Sequence, residues 1–138
     1  RRMLSPSADT VRLFLQVLAA SIWVGGQIVM AGLVPRLRRV APESTRVAAR
    51  AFGSIAWPAF AVLVVTGIWS IVDLAINEQT TSYQATVGVH IVLAVVAGAS
   101  AAIHSIGTTK LALALGGAIG LLTSLAALFV GALLGTGS

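Results

Sequence analysis

With 138 residues, 57% of them hydrophobic and only 9% charged, this chain carries too little charge to cover a water-soluble surface, for which roughly 25% charged residues is usual. Its formal net charge of +5 is not a nucleic-acid signature, because no aromatic residues are interleaved with the arginines for base stacking; a positive patch beside a hydrophobic span meets anionic lipid headgroups more simply. The sequence has no cysteine, which excludes disulfides, thiolate metal sites and cysteine redox chemistry.

The chain starts Arg1-Arg2 without an initiator Met, which leaves its native N-terminus open. The first hydrophobic run is too long, and ends too basically, for a cleaved signal peptide. No side chain between Arg12 and Arg36 is charged, and about 20 apolar residues suffice to cross the hydrocarbon core, so a first helix is expected near 11–34. Loop one is expected from Pro35 to about Arg50, with Arg36, Arg38, Arg39, Arg46 and Arg50 in it. Within it Pro42-Glu43 reads as a helix start, so a basic turn at the interface leads into the second helix. Arg46 and Arg50, four apart, share a face of that turn.

The second helix is expected near 50–74, with Pro58 kinking it. Loop two, about 75–83, has Glu78 and no Lys or Arg. From Gln79 to Thr109 the only titratable side chains are Tyr83, His90 and His104, which predicts a third helix near 84–106. Gly107-Thr108-Thr109-Lys110 makes a short turn into a fourth helix near 110–135. The runs are continuous and alanine-rich rather than alternating, which argues against strands. The expected architecture is therefore all-α: an integral membrane bundle of four transmembrane helices, forming a single domain over 1–138. Loops one and three hold most of the Lys and Arg, so the positive-inside rule puts both termini outside an inner or plasma membrane.

Small residues repeat along the fourth helix at Gly116, Gly120, Ser124, Ala127, Gly131 and Gly135, and along the third at Ala94, Ala97, Gly98, Ala101 and Ser105. Rows of this kind let membrane helices approach closely. Trp57, Trp69 and Tyr83 are expected near helix ends, in the interfacial belt. Trp23 falls near mid-span, where belt anchoring does not explain it.

Polar side chains inside a bilayer are costly and point to function by default. Ser and Thr can bond their own helix backbone, so the informative residues are Gln16 and Gln27 on helix one and His90 and His104 on helix three, with Thr66 on helix two in support. His90 and His104 are 14 positions apart, which puts them within about 40° of each other around the helix and about 21 Å apart along it. They cannot share one metal ion, but each can serve a site near one membrane surface. The alanine face between them is flat enough to lie beside a macrocycle. Depth groups Gln16, Thr66 and His90 in an outer layer, and Gln27, Met30 and His104 in an inner one. An imidazole and a thioether suit copper or haem iron. The alternative is that the histidines only hydrogen-bond across the bundle, and that Met30 is a packing residue.

The run Gln16 to Gly26 with its Trp23-Val24-Gly25-Gly26 end, the exit Val34-Pro35-Arg36-Leu37-Arg38, the pair Thr66-Gly67 before Ile68, and Tyr83 ahead of the third helix together resemble the copper-resistance protein D-like membrane family. That resemblance implies a four-helix domain tied to copper handling. A related four-helix group has a His-containing first helix and binds haem in porphyrin oxidation. Where such families often carry His on helix one this chain has Gln16, and where they often carry Lys early in helix three it has His90. Two histidines with thirteen residues between them on one helix also look like di-haem b-type cytochromes, in which two helices each give two. With two histidines in all, that likeness implies a homodimer or a second kind of ligand.

Two functions follow as expectations. One is a membrane protein handling copper or haem b through His90 and His104, with Met30 as a further metal ligand. The other is a structural or accessory subunit of a larger membrane complex, with no cofactor of its own. No intramembrane carboxylate is available for catalysis; Asp73 sits at a helix end.

Overall fold

The computed structural model describes residues 3–137, and every regular element among them is helical. Four helices are long and apolar enough to cross a membrane: α1 (Ala8–Val40), α2 (Pro42–Asp73), α3 (Thr81–Ile106) and α4 (Lys110–Thr136). They fall into two compact units, one ending at Ala75 and the other starting at Ile76. Each unit is an α-helical hairpin.

Local chemistry sets the helix ends. Ser7 and Thr10 form a capping box for α1, in which the Ser7 Oγ accepts from the Thr10 amide and the Thr10 Oγ1 accepts from the Ser7 amide, both at 3.2 Å. Such a box satisfies amides that the first turn leaves orphaned. Pro42 opens α2, where its missing amide proton costs nothing. Thr80 and Thr109 accept from the third amides of α3 and α4.

The expected loop one is not a loop. α1 runs through Pro35 to Val40, α2 starts at Pro42, and Ala41 alone separates them. The charges mark where the apolar stretch ends rather than where the helix ends. Pro35 removes one backbone hydrogen bond, which a long helix tolerates when the rest of its turn is intact. Pro58 likewise lies inside an unbroken α2.

In the first unit α1 packs on α2 around Ala19, Trp23, Val24, Ala56 and Ala59, all buried. Residues Ser21–Gly25 of α1 form a π-helical turn. This widened turn carries Trp23 into an aromatic triad: ring centroids lie 5.5 Å from Trp57 and 4.6 Å from Phe60, and Trp57 and Phe60 are 5.9 Å apart. The burial of Trp23 is thereby explained. Trp57, expected in the interfacial belt, instead stands mid-way along α2, because that helix begins at Pro42 rather than near Arg50. Gly26 leaves room for the Phe52 ring.

In the second unit α3 packs on α4 through small side chains. Ala97, Gly98 and Ser100 on α3 and Gly116, Gly120 and Ser124 on α4 are all buried. Large apolar residues lie outside instead: Val92, Val95, Leu122 and Phe129 are all more than 60% exposed. Small residues inside and large ones outside suit a hydrocarbon solvent, which gives no reward for hiding Leu or Phe and favours close backbone approach.

Candidate functional site

Both histidines of α3 face α4, and each is seated on glycine. A Cβ added at Gly117 would lie 3.1 Å from both Cε1 and Nδ1 of His104. A Cβ added at Gly116 would lie 2.9 Å from the His104 backbone nitrogen. Near the other end of the hairpin, a Cβ at Gly131 would lie 3.3 Å from Cε1 of His90. The glycines thus make room for two imidazoles as well as for a backbone contact. The sequence pattern gave the glycine row and the histidine pair separately; their coincidence depends on the register of α3 against α4.

His104 is exposed, and its Nδ1 lies 2.6 Å from the carbonyl oxygen of Leu113. A carbonyl can only accept, so Nδ1 carries the proton and, in the neutral ring, Nε2 keeps its lone pair. A histidine that ligates a metal is usually oriented this way, with its other ring nitrogen donating to a carbonyl. His90 is half-buried. Its Nδ1 is buried, with no partner within hydrogen-bonding geometry.

The alanine face expected to flank a macrocycle is not open along its length. Ala97 is 2% exposed, and Ala101 lies against Gly120. That surface is spent on helix packing. Any planar ligand of His104 therefore lies toward the exposed end of α3 rather than along the stripe.

The other polar residues are largely turned to their own helices. Gln27 Nε2 donates to the Trp23 carbonyl at 3.0 Å, closing the end of the π turn. Thr66 is buried, and its hydroxyl donates to the Val62 carbonyl at 2.8 Å. Gln16 and Met30 are half-buried on α1. Among the described residues no three His, Asp or Glu side chains stand close enough together to hold a metal ion.

A second polar cluster lies at one end of the first unit, where the sequence pattern marked only a boundary charge. Arg12 on α1 donates to Ser70 Oγ on α2 at 2.7 Å and pairs with Asp9 at 3.0 Å, with Asp73 further off at 3.8 Å. The Arg12 side chain is only 14% exposed. Asp9 three residues ahead of Arg12 was the available signal; Ser70 was not legible, because it depends on how α1 and α2 pair.

Compared with known protein families, curated proteins and solved structures, the chain matches none.

Proposed function

We propose that this is a multi-pass protein of an inner or plasma membrane that handles haem, with His104 as the residue that ligates it and His90 as a second, independent ligand. The observation that carries the reading is the Nδ1 hydrogen bond of His104, which leaves Nε2 as the basic nitrogen at an exposed position. A porphyrin supplies four nitrogens of its own and asks only an axial ligand of the protein. A copper ion asks for more ligands than one imidazole, and no three-residue group offers them among the described residues. One chain has a single imidazole at each level, so a second axial ligand comes from a second copy in a homodimer. Copper handling, which the likeness to copper-resistance D-like proteins suggests, is the variant in which that second copy completes a metal site.

The competing reading is an accessory subunit that packs in a larger membrane complex. It is favoured by the fact that both rings are already seated within their own hairpin. Purification in mild detergent, followed by an absorption spectrum, metal analysis and titration with haem b, separates them. A Soret band that shifts on binding and is lost in His104→Ala supports the haem reading. Copper without a Soret band supports the metal variant, and a colourless, metal-free protein that leaves added haem unbound supports the subunit.

A further inference from the structure

We infer that the tip of the first hairpin is a binding surface for anionic phospholipid headgroups, built on two helices that rise past the hydrocarbon. α1 has 33 residues and α2 has 32, or about 50 and 48 Å at 1.5 Å per residue. The hydrocarbon core is only about 30 Å thick. The charge-free stretches end at Pro35 on α1 and start at Ala51 on α2. The remaining turns, up to Val40 and down from Pro42, therefore stand in the headgroup layer as rigid helix joined by Ala41.

Five arginines occupy those turns, and Arg36, Arg38, Arg39, Arg46 and Arg50 are all exposed. Glu43 is the one acidic residue beside them, and among the described residues the only ion pairs are those of Arg12. Five cations held on helix, with no acidic partner among the described residues, are a standing demand for anions. Arg46 and Arg50 lie about 40° apart around α2 and one turn apart along it, a spacing that presents two guanidinium forks to one side. Arg36 folds back a full turn, and its Nη1 donates to the Gly32 carbonyl at 2.9 Å. Its guanidinium thereby lies beside the last turn of the charge-free stretch, close to where hydrocarbon gives way to headgroups. Guanidinium forks match phosphate oxygens in geometry as well as charge, and juxtamembrane clusters of four to eight basic residues attract anionic lipid.

Setting membrane orientation requires only that these arginines be basic during insertion; binding requires that the folded protein prefer anionic lipid. The full chain in neutral detergent, mixed with phosphatidylglycerol or phosphatidylcholine and followed by thermal unfolding and native mass spectrometry, reads that preference. Phosphatidylglycerol should stay bound and raise the unfolding temperature, phosphatidylcholine should not, and the effect should fade with salt. Arg46→Gln with Arg50→Gln should weaken apparent lipid affinity by about thirtyfold, and the Lys pair should retain most of it. If the Gln pair does not fold, Arg38→Gln with Arg39→Gln should give the same loss. Equal retention of both lipids, undiminished phosphatidylglycerol binding in the folded Gln variants, or an equal shift from inorganic phosphate alone would each overturn the inference.

Discussion

His104 on α3 donates from Nδ1 to the Leu113 carbonyl on α4 at 2.6 Å, across the turn that joins the two helices. One ring thus ties the hairpin and presents a second nitrogen away from the tie. Asn and Ala at this position separate the two roles. The Asn amide can reproduce the Nδ1 donor but supplies no ligating nitrogen. His104→Asn should keep near wild-type stability in detergent. His104→Ala should lose about 0.6 kcal/mol, the average for a hydrogen bond between membrane helices. If His104 ligates haem as proposed, both variants should fail to bind it, as read by the absorption spectrum alongside thermal unfolding.

The glycine row should be uneven in its tolerance. A Cβ at Gly116 would lie 2.9 Å from the His104 backbone nitrogen and 3.0 Å from the Ser100 carbonyl, whereas the nearest atoms to one at Gly120 are 3.6 Å away. Backbone cannot move aside as a side chain can. Gly116→Ala should therefore cost about 1–3 kcal/mol as an overpacked contact. Gly120→Ala should be neutral or gain up to about 1 kcal/mol from helix propensity. Equal losses at both sites, by thermal or denaturant unfolding in detergent, would show that α3 and α4 pair in another register.

Arg12 should matter through Ser70 more than through the carboxylates. Its bond to Ser70 is short and part-buried, whereas Asp73 is 3.8 Å away and 47% exposed. Solvent screens that second pair to little value. Arg12→Leu should cost about 1.5–3 kcal/mol, as loss of a charge-assisted hydrogen bond. Asp73→Asn should cost less than about 0.5 kcal/mol. The reverse order of losses would make the long ion pair the true tie.

Ala75 follows α2 with φ of +44°, a conformation that costs a non-glycine L residue roughly 1–2 kcal/mol. Ala75→Gly should therefore stabilise the chain, by about 1 kcal/mol once the extra freedom of the unfolded glycine is offset. A loss of stability in a thermal scan would mean that Ala75 does not hold this conformation.

Much of the fold was legible in the sequence because charge is scarce. Each uncharged run became one long helix, and His90 and His104 stood out because so few polar residues interrupt those runs. The two helix ends that meet at Ala41 were misplaced for a physical reason. Arg36 and Arg50 bound the apolar stretch, but helical hydrogen bonding does not stop at a charged side chain, so α1 reaches Val40 and α2 begins at Pro42. The Ser7–Thr10 capping box did not stand out, because Thr stands where the usual pattern has Glu or Gln. The aromatic triad of Trp23, Trp57 and Phe60, the π turn at Ser21–Gly25 and the seating of each imidazole on glycine were not readable. They depend on how one helix registers against its neighbour, and no local pattern encodes that.

Thiol labelling in cells reads the orientation expected from the arginines. With both termini outside, Glu43→Cys at the basic tip should react with an impermeant thiol reagent only after the membrane is opened. Ser82→Cys should react in intact cells. The opposite pattern would invert the topology.

Ligation of haem by the Nε2 of His104 is what the proposed function rests on. Its most direct test is the absorption spectrum of the wild-type protein in mild detergent during titration with haem b, compared with His104→Asn. Wild-type protein should bind haem with a shifted Soret band, and the variant should fold yet fail to give the shift. A wild-type protein that shows no shift at saturating haem, or a His104→Asn variant that shifts fully, would contradict it.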